Sequence, residues 1–165
     1  MFILNILIAY YSLTGNTEYL AKNIKESIDA DILEIKPRNP LKPKGLVKII
    51  KGVIQVLLKK EPKLKSFDLD PSDYDLIFLG TPVWVSRFSA PLRSFLSKID
   101  LSGKNVALLM CYAKDAKKAM KRLKEFLSDA EIRGEIAFEE PTEEGSEAAK
   151  EKAISWAKHI ISSLE

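Results

Sequence analysis

Two hydrophobic periods alternate along this chain from one end to the other. Continuous apolar runs, the pattern of strands buried on both faces, occupy residues 3–10, 31–35, 76–80, 106–110 and 135–138. The second and fifth runs are short. Between the runs, apolar residues recur at helical spacing. Residues 16–28 put Leu20, Ala21, Ile24 and Ile28 on one face, with Lys22, Lys25 and Glu26 elsewhere. Residues 45–60 carry a wider stripe of Leu46, Ile49, Ile50, Val53, Ile54, Leu57 and Leu58. Residues 90–99 begin beside Pro91, which a first helical turn tolerates. Helical spacing returns at 115–127 and at 146–164, where Ala149, Ala153, Trp156, Ala157, Ile160 and Leu164 share a face. Five strands alternating with five helices predict an α/β fold, a three-layer doubly wound sandwich with a five-stranded parallel sheet. Ligands of such sheets bind beyond the carboxyl ends of the strands, where strand order reverses. The residues just after strands one, three and four are therefore where chemistry is expected.

Length and composition narrow this picture only slightly. A chain of 165 residues is expected to form one domain, 1–165, with a core that needs no disulfide or metal. Its single cysteine, Cys111, excludes an internal disulfide framework and fits a reducing cytoplasm. The apolar stretch 2–9, beginning at Phe2, is too short for a signal peptide and has no basic segment before it. No run approaches the roughly 18 apolar residues of a membrane span. The expectation is a cytoplasmic protein with no integral membrane segment and no nucleic-acid partner.

Charge is distributed unevenly. Between residues 36 and 65 stand Lys36, Arg38, Lys42, Lys44, Lys48, Lys51, Lys59, Lys60, Lys63 and Lys65 against one acid, Glu61, in a chain whose net charge is +3. Residues 128–147 hold eight acids, Glu143 and Glu144 among them, against Arg133 alone. Such asymmetry either orients the chain towards a charged partner or is an ordinary solvated surface. The prolines of 37–43, Pro37, Pro40 and Pro43, are the nearest thing to punctuation in the chain.

The loop after strand one, Ser12-Leu13-Thr14-Gly15-Asn16-Thr17, leads straight into a helix. A helix N-terminus offers unpaired N–H groups and a partial positive charge, and so attracts an anion. Ser12, Thr14, Thr17 and the Asn16 amide add donors, and Gly15 permits a positive φ or a close backbone approach. No Lys lies in the loop, so neutral donors and the helix dipole must meet the charge. The simpler alternative is helix capping, at which Ser, Thr and Asn are also good. Four polar donors and a Gly within six residues exceed what a cap needs.

After strand three, Thr81-Pro82-Val83-Trp84-Val85-Ser86-Arg87-Phe88 reads as a loop at the ligand end of the sheet. Trp84 there either stacks on a planar ligand, a preference of about 0.5–1.5 kcal/mol, or packs as core against the next helix. Arg87 either faces an anionic group or is simply solvated. Strand four ends in Cys111-Tyr112-Ala113, whose backbone and ring are placed to meet a heterocycle. Cys111 reads as a small buried hydrophobe without redox chemistry.

Other phosphate and nucleophile motifs are absent. The chain has no G-x-x-x-x-G-K-[ST], no G-x-G-x-x-G and no G-x-S-x-G. Cys111 is followed six residues later by Lys117 instead of the arginine of a thiol phosphatase. The ends of strands one and three lack the carboxylates with which a phospho-receiver holds Mg²⁺.

Together the three loops resemble the flavodoxin family. That family's phosphate loop has the form [ST]-x-T-G-x-T, which Ser12 to Thr17 match at every position, and Gly80-Thr81-Pro82-Val83-Trp84 looks like its second, aromatic-bearing loop. The resemblance spans nearly the whole chain, and the fifth strand lacks the insertion that marks the long-chain kind. It implies strand order 2-1-3-4-5 and FMN as cofactor. By that likeness, Ser12, Leu13, Thr14, Gly15, Asn16 and Thr17 would hold the ribityl phosphate. Pro82, Val83 and Trp84 would flank the ring, and Cys111, Tyr112 and Ala113 would meet its pyrimidine edge. The chain departs from the family in its basic balance, with Arg87 in the second loop and Lys114 beside Asp115 in the third. A reduction potential less negative than that of a typical flavodoxin is expected from those charges.

The functional expectation is an FMN redox protein that carries electrons between partner enzymes. The alternative is an NAD(P)H-dependent flavin or quinone reductase on the same scaffold. Lys44, Lys48, Lys51 and Lys59 lie opposite the apolar stripe of the second helix, which reads either as a surface for anionic lipid or partner, or as a layer helix with solvated lysines. His159, near the end of the last helix, reads as complementing the helix dipole.

Overall fold

The computed structural model describes residues 3–41, 45–141 and 146–165. Phe2, Lys42, Pro43, Lys44, Glu143 and Glu144 lie outside the described residues, as do the side chains of Lys48 and Ile49. In chain order the elements are β1 (Ile6–Tyr10), α1 (Asn16–Ser27), β2 (Asp31–Glu34), α2 (Leu46–Leu57), a 3-10 turn (Pro71–Asp73) and β3 (Leu76–Trp84). A two-residue strand, β4 (Arg87–Phe88), follows, then α3 (Ala90–Leu96), β5 (Asn105–Tyr112), α4 (Lys117–Phe126), β6 (Glu131–Glu139) and α5 (Ser146–Ser162).

The long strands stand in the order β2-β1-β3-β5-β6, with every neighbouring pair parallel. With β5 and β6 as the fourth and fifth long strands, this is the order 2-1-3-4-5. Strand order reverses between β1 and β3, the place where sheets of this kind bind ligands.

Each central strand is buried on both faces, and its alternating side chains feed two cores. Leu7 and Ala9 of β1 and Tyr11 just after it join Leu92 and Phe95 of α3 and Ala119, Met120 and Leu123 of α4. The other face of the same strand, Ile6, Ile8 and Tyr10, packs with Leu20, Ala21 and Ile24 of α1 and Ala153, Ala157 and Ile160 of α5. Each fully buried side chain of this size contributes about 1.5–3 kcal/mol, so these two layers hold the sheet in place.

The structure differs from the sequence expectation at three elements. Residues 81–84 are not loop: β3 continues to Trp84 and folds back on β4, pairing Val83 with Phe88 and Trp84 with Arg87. The two turn residues, Val85 and Ser86, both have positive φ (49° and 57°), as a tight hairpin turn of matched twist requires. β6 starts at Glu131, earlier than expected, because Glu131, Arg133 and Glu135 face solvent in alternation with Ile132, Gly134 and Ile136. That is an edge strand, half-buried: Ile132 and Ala137 pack against one core, Ile136 and Phe138 against the other.

The third difference is α2. Its stripe does not all turn inward: Gly52 and Val56 are buried, but Leu46, Ile50, Ile54, Leu57 and Leu58 are 43–72% exposed. The chain leaving α2 runs beside the segment after β2, where Lys65 N–H donates to the Lys36 carbonyl (2.7 Å) and Arg38 N–H to that of Lys63 (2.8 Å), burying Leu64. Among the described residues, no helix is long and apolar enough to cross a membrane, and no cluster of metal-ligating side chains occurs.

Candidate functional site

At the carboxyl end of the sheet, beside the reversal point, lies a cleft of about 200 Å³. It is lined by Ser12, Leu13, Thr14, Asn16, Thr17, Pro82, Val83, Trp84, Cys111, Tyr112, Ala113 and Glu140. Every residue singled out above for binding lines this one cleft except Gly15, which stands at the head of α1. Larger clefts exist elsewhere, one of about 430 Å³ between the two chain ends. None of them combines a helix N-terminus, a set of hydroxyls and aromatic rings.

The loop is shaped by its own sequence. Gly15 takes φ 99°, a left-handed conformation cheap only for glycine, and its carbonyl accepts the Tyr19 N–H at 2.9 Å to open α1. Its N–H donates to Ser12 Oγ (3.2 Å), and Asn16 Nδ2 donates to Thr14 Oγ1 (3.3 Å). No side chain caps α1. Ser12 and Thr14 each accept one local bond but cap no N–H of α1, so their O–H protons remain to be donated. The first-turn N–H groups look towards the cleft with the positive end of the helix dipole behind them.

Thr17 is the sharpest feature. It is 1% exposed, and its Oγ1 has no hydrogen-bond partner of normal geometry among the described residues. The Cys111 thiol lies alongside it, a weak partner by nature. A buried hydroxyl left without a partner costs about 1–3 kcal/mol. Gly80 holds it there: a Cβ on Gly80 would stand 2.9 Å from Thr17 Cγ2 and 3.0 Å from Tyr10 Cβ. Only a glycine in β3 lets the first turn of α1 sit so close to the sheet.

The opposite wall is the β3–β4 hairpin. Thr81, fully buried, accepts the Ser89 N–H (3.1 Å) and bonds the Ser89 hydroxyl (3.0 Å), while Ser89 caps α3 by accepting the Leu92 N–H (3.4 Å). This ties the base of the hairpin to a helix start. Trp84 is half-buried, edge-on to Tyr11 at 5.6 Å and beside Gly52 of α2, so it both packs as core and lines the cleft. Burial pushes the Tyr11 hydroxyl up to about 12. Burial also pushes the Cys111 thiol up to about 12, slightly opposed by the Thr17 hydroxyl, so Cys111 stays a neutral thiol near pH 7. That matches its reading as an unreactive apolar residue.

Two charged residues proposed for the neighbourhood of the ligand stand elsewhere. Arg87 lines a different cleft between α2, α3 and α4, and Lys114 lies with Asp115 in a depression on the far side of Tyr112. The charge that does line the site is Glu140, absent from the sequence reading. Its N–H donates to the Tyr112 carbonyl (3.2 Å) and its φ is 36°. Glu140 follows β6, whose end was not among those of strands one, three and four where the chemistry was expected. The expectation of a less negative potential rested on Arg87 and Lys114, and the placement of Glu140 acts against it.

A family model described as flavodoxin matches residues 5–157. A comparison with curated protein sequences gives no match. Among solved structures, the chain is similar to a flavoprotein from Lactobacillus acidophilus in complex with FMN, at 24% identity over 90% of this chain and 98% of that one, with a TM-score of 0.72. It is similar to oxidised flavodoxin 2 from Bacillus cereus, at 26% identity over 94% and 99%, with a TM-score of 0.58. It is also similar to two-electron reduced flavodoxin from Megasphaera elsdenii, at 20% identity over 93% and 98%, with a TM-score of 0.59. These similarities establish a shared fold.

Proposed function

This chain belongs to the flavodoxin family, and from that premise we propose that it binds FMN without a covalent link and passes electrons between redox partner proteins. The observation that carries the reading is the Thr17 hydroxyl, buried without a partner of normal geometry at the start of α1 in a residue that lines the cleft. A phosphate oxygen is the partner that this donor, the neighbouring hydroxyls and the helix dipole jointly lack. Ser12, Thr14, Asn16 and Thr17 would hold the phosphate, with the backbone freed by Gly15. Pro82, Val83 and Trp84 would flank the ring on the hairpin side, Tyr112 would cover it from β5, and the backbone of Cys111 to Ala113 would meet its polar edge. When bound, FMN supplies the electron-transfer chemistry, and the protein supplies orientation and electrostatics.

A cleft of about 200 Å³ falls below the about 300–1,000 Å³ of pockets that enclose a ligand of this size. A ring held here keeps an edge in solvent, where a partner protein reaches it. That favours the carrier over the reductase reading. Glu140 adds a carboxylate near the site and would disfavour further negative charge on a reduced ring.

The test is a visible absorption spectrum of the purified protein, repeated after adding FMN and removing the excess. Retained flavin bands are expected, together with no turnover of NAD(P)H against a quinone. Steady turnover would move the protein to the reductase class. No retained flavin would overturn the cofactor itself.

A further inference from the structure

Beyond the cofactor cleft, α2, β4, α3 and α4 enclose a second cleft of about 370 Å³ with an unusual charge balance. Five cations line it, Lys59, Lys60, Arg87, Arg93 and Arg122, against a single acid, Glu125. None of the five belongs to an ion pair among the described residues, whereas Glu125 stands 3.9 Å from Lys121. Like charges gathered in a concavity repel one another unless something answers them.

Several of these cations are fixed in place. Arg93 lies over the rings of Phe88 and Phe126, at 5.3 and 5.0 Å from their centroids, an arrangement that orders a guanidinium before anything binds. Arg122 Nη1 donates to the Ser86 carbonyl (2.6 Å), which anchors it to the hairpin turn and leaves its other N–H groups to the cleft. Arg87 is half-buried, and its Nε has no hydrogen-bond partner among the described residues. Lys59 and Lys60 follow the C-terminus of α2 in a closing turn, where Lys60 N–H donates to the Gln55 carbonyl (2.8 Å) and Lys59 N–H to that of Val56 (3.1 Å). That closure puts Lys59 at φ 49°, a position where glycine is the usual choice. A lysine held in a glycine position, a buried donor without an acceptor and an arginine set between two rings all belong to one concavity.

We propose that this cleft is a second anion site, which takes the phosphoryl or pyrophosphoryl group of a small molecule. The guanidinium groups offer paired N–H donors to phosphate oxygens, the lysines add charge, and Phe88 and Phe126 form an apolar wall. Its volume lies at the small end of the range for small-molecule sites, about 300–1,000 Å³, and its concavity does not suit a flat protein surface. Arg87 is the register partner of Trp84, so the hairpin carries one residue of each cleft side by side. An anion held at Arg87 is thereby placed next to the cofactor wall. The site stands on its own residues and does not require the FMN reading.

Calorimetric titration of the FMN-loaded protein with inorganic pyrophosphate at low salt tests the proposal. One site is expected, weakened as NaCl rises from about 20 to about 200 mM. Arg87→Met and Arg93→Met should each weaken it about tenfold, the loss of one charge-assisted hydrogen bond. Lys59→Gly should weaken it while raising the melting temperature, so a loss of affinity there does not arise from unfolding. Thr17→Val should leave pyrophosphate binding unchanged and weaken FMN alone. ADP in place of pyrophosphate identifies the source: tighter binding points to a nucleotide, equal binding to a simple phosphate compound. The proposal is overturned if neither probe binds, which would leave the cleft to an acidic protein surface. It is equally overturned if the arginine variants bind as the parent does, or if Thr17→Val abolishes pyrophosphate binding. The cleft and loop variants keep the two sites apart even in protein that retains no FMN.

Discussion

Replacing Thr17 by valine should change stability and cofactor affinity in opposite directions. The residue is 1% exposed and its hydroxyl has no partner of normal geometry, so the protein without cofactor carries a desolvated donor of about 1–3 kcal/mol. Valine keeps the shape and retains the methyl packed over Gly80, and the helix propensities of the two residues are nearly equal. The cofactor-free variant should therefore gain about 1 kcal/mol, a rise in melting temperature of about 2–4 °C for a chain of this size. With cofactor the sign reverses. The lost bond to an ionised phosphate is worth about 1.5–3 kcal/mol, so FMN affinity should fall about 10- to 100-fold. Thr17→Ser supplies the control: it keeps the hydroxyl and removes the methyl, so affinity persists while stability drops by about 1 kcal/mol. Urea unfolding of the cofactor-free proteins and quenching of flavin fluorescence on titration measure the two quantities. A cofactor-free Thr17→Val less stable than the parent would show that the hydroxyl already has a partner. FMN affinity within twofold of the parent would refute its role in the site.

Val85→Asn should stabilise the protein by about 1 kcal/mol, because a β-branched residue at φ 49° is strained and asparagine suits a hairpin turn, while Val85 is 47% exposed and gives up little packing. An unchanged or lower melting temperature would contradict that assignment of strain. Glu140→Gln should raise the reduction potential of bound FMN by about 20–40 mV, the equivalent of somewhat under 1 kcal/mol for one electron; potentiometry showing no shift would place the carboxylate out of electrostatic reach. Stability should decline in alkali. Cys111 rises in the fold from 9.0 to about 12, and Tyr11 and Tyr74 from 10.0 to about 12, so each folded group holds its proton more tightly than the unfolded chain does. Their contribution is complete below about pH 9 and lost as pH climbs towards 12, at about 1.4 kcal/mol per pH unit per group in that window. Cys111→Ala should remove the earliest part of the decline, and urea midpoints equal at pH 8 and 10.5 would count against the shifts.

Much of the site was legible because its signals are local. Ser12 to Thr17 combine a glycine, hydroxyls and an adjacent apolar run, and the sheet rule places them at a ligand end without further information. The hairpin escaped because its turn, Val85-Ser86, contains neither Gly nor Asn, and a two-residue strand leaves no period to read. β6 was read too short because exposed Glu131, Arg133 and Glu135 alternate with half-buried neighbours at this sheet edge, and only the stretch near Phe138 looks like a buried strand. Glu140 was missed because the search stopped at three strand ends, although the same rule applied to the last strand reaches it. The basic cleft was invisible for another reason. Its cations come from the turn after α2 and from β4, α3 and α4, and no segment of sequence shows five charges that only the fold gathers.

The exposure of α2 bears on how the molecule breathes. Among its described side chains the buried ones are Gly52 and Val56, while Leu46, Ile50, Ile54, Leu57 and Leu58 gain little from remaining docked. A segment whose described side chains are mostly exposed is expected to detach at a free energy below that of global unfolding, leaving the sheet and the helices on its other face intact. Its amides should exchange with solvent before those of α1, whose Leu20, Ala21 and Ile24 are locked under the sheet. Each opening lifts Gly52 from Trp84 and carries Lys59 and Lys60 away from the three arginines. An anion bridging the lysines to the arginines would hold the helix down, so a small charged molecule would set how often one wall of the cofactor cleft swings open.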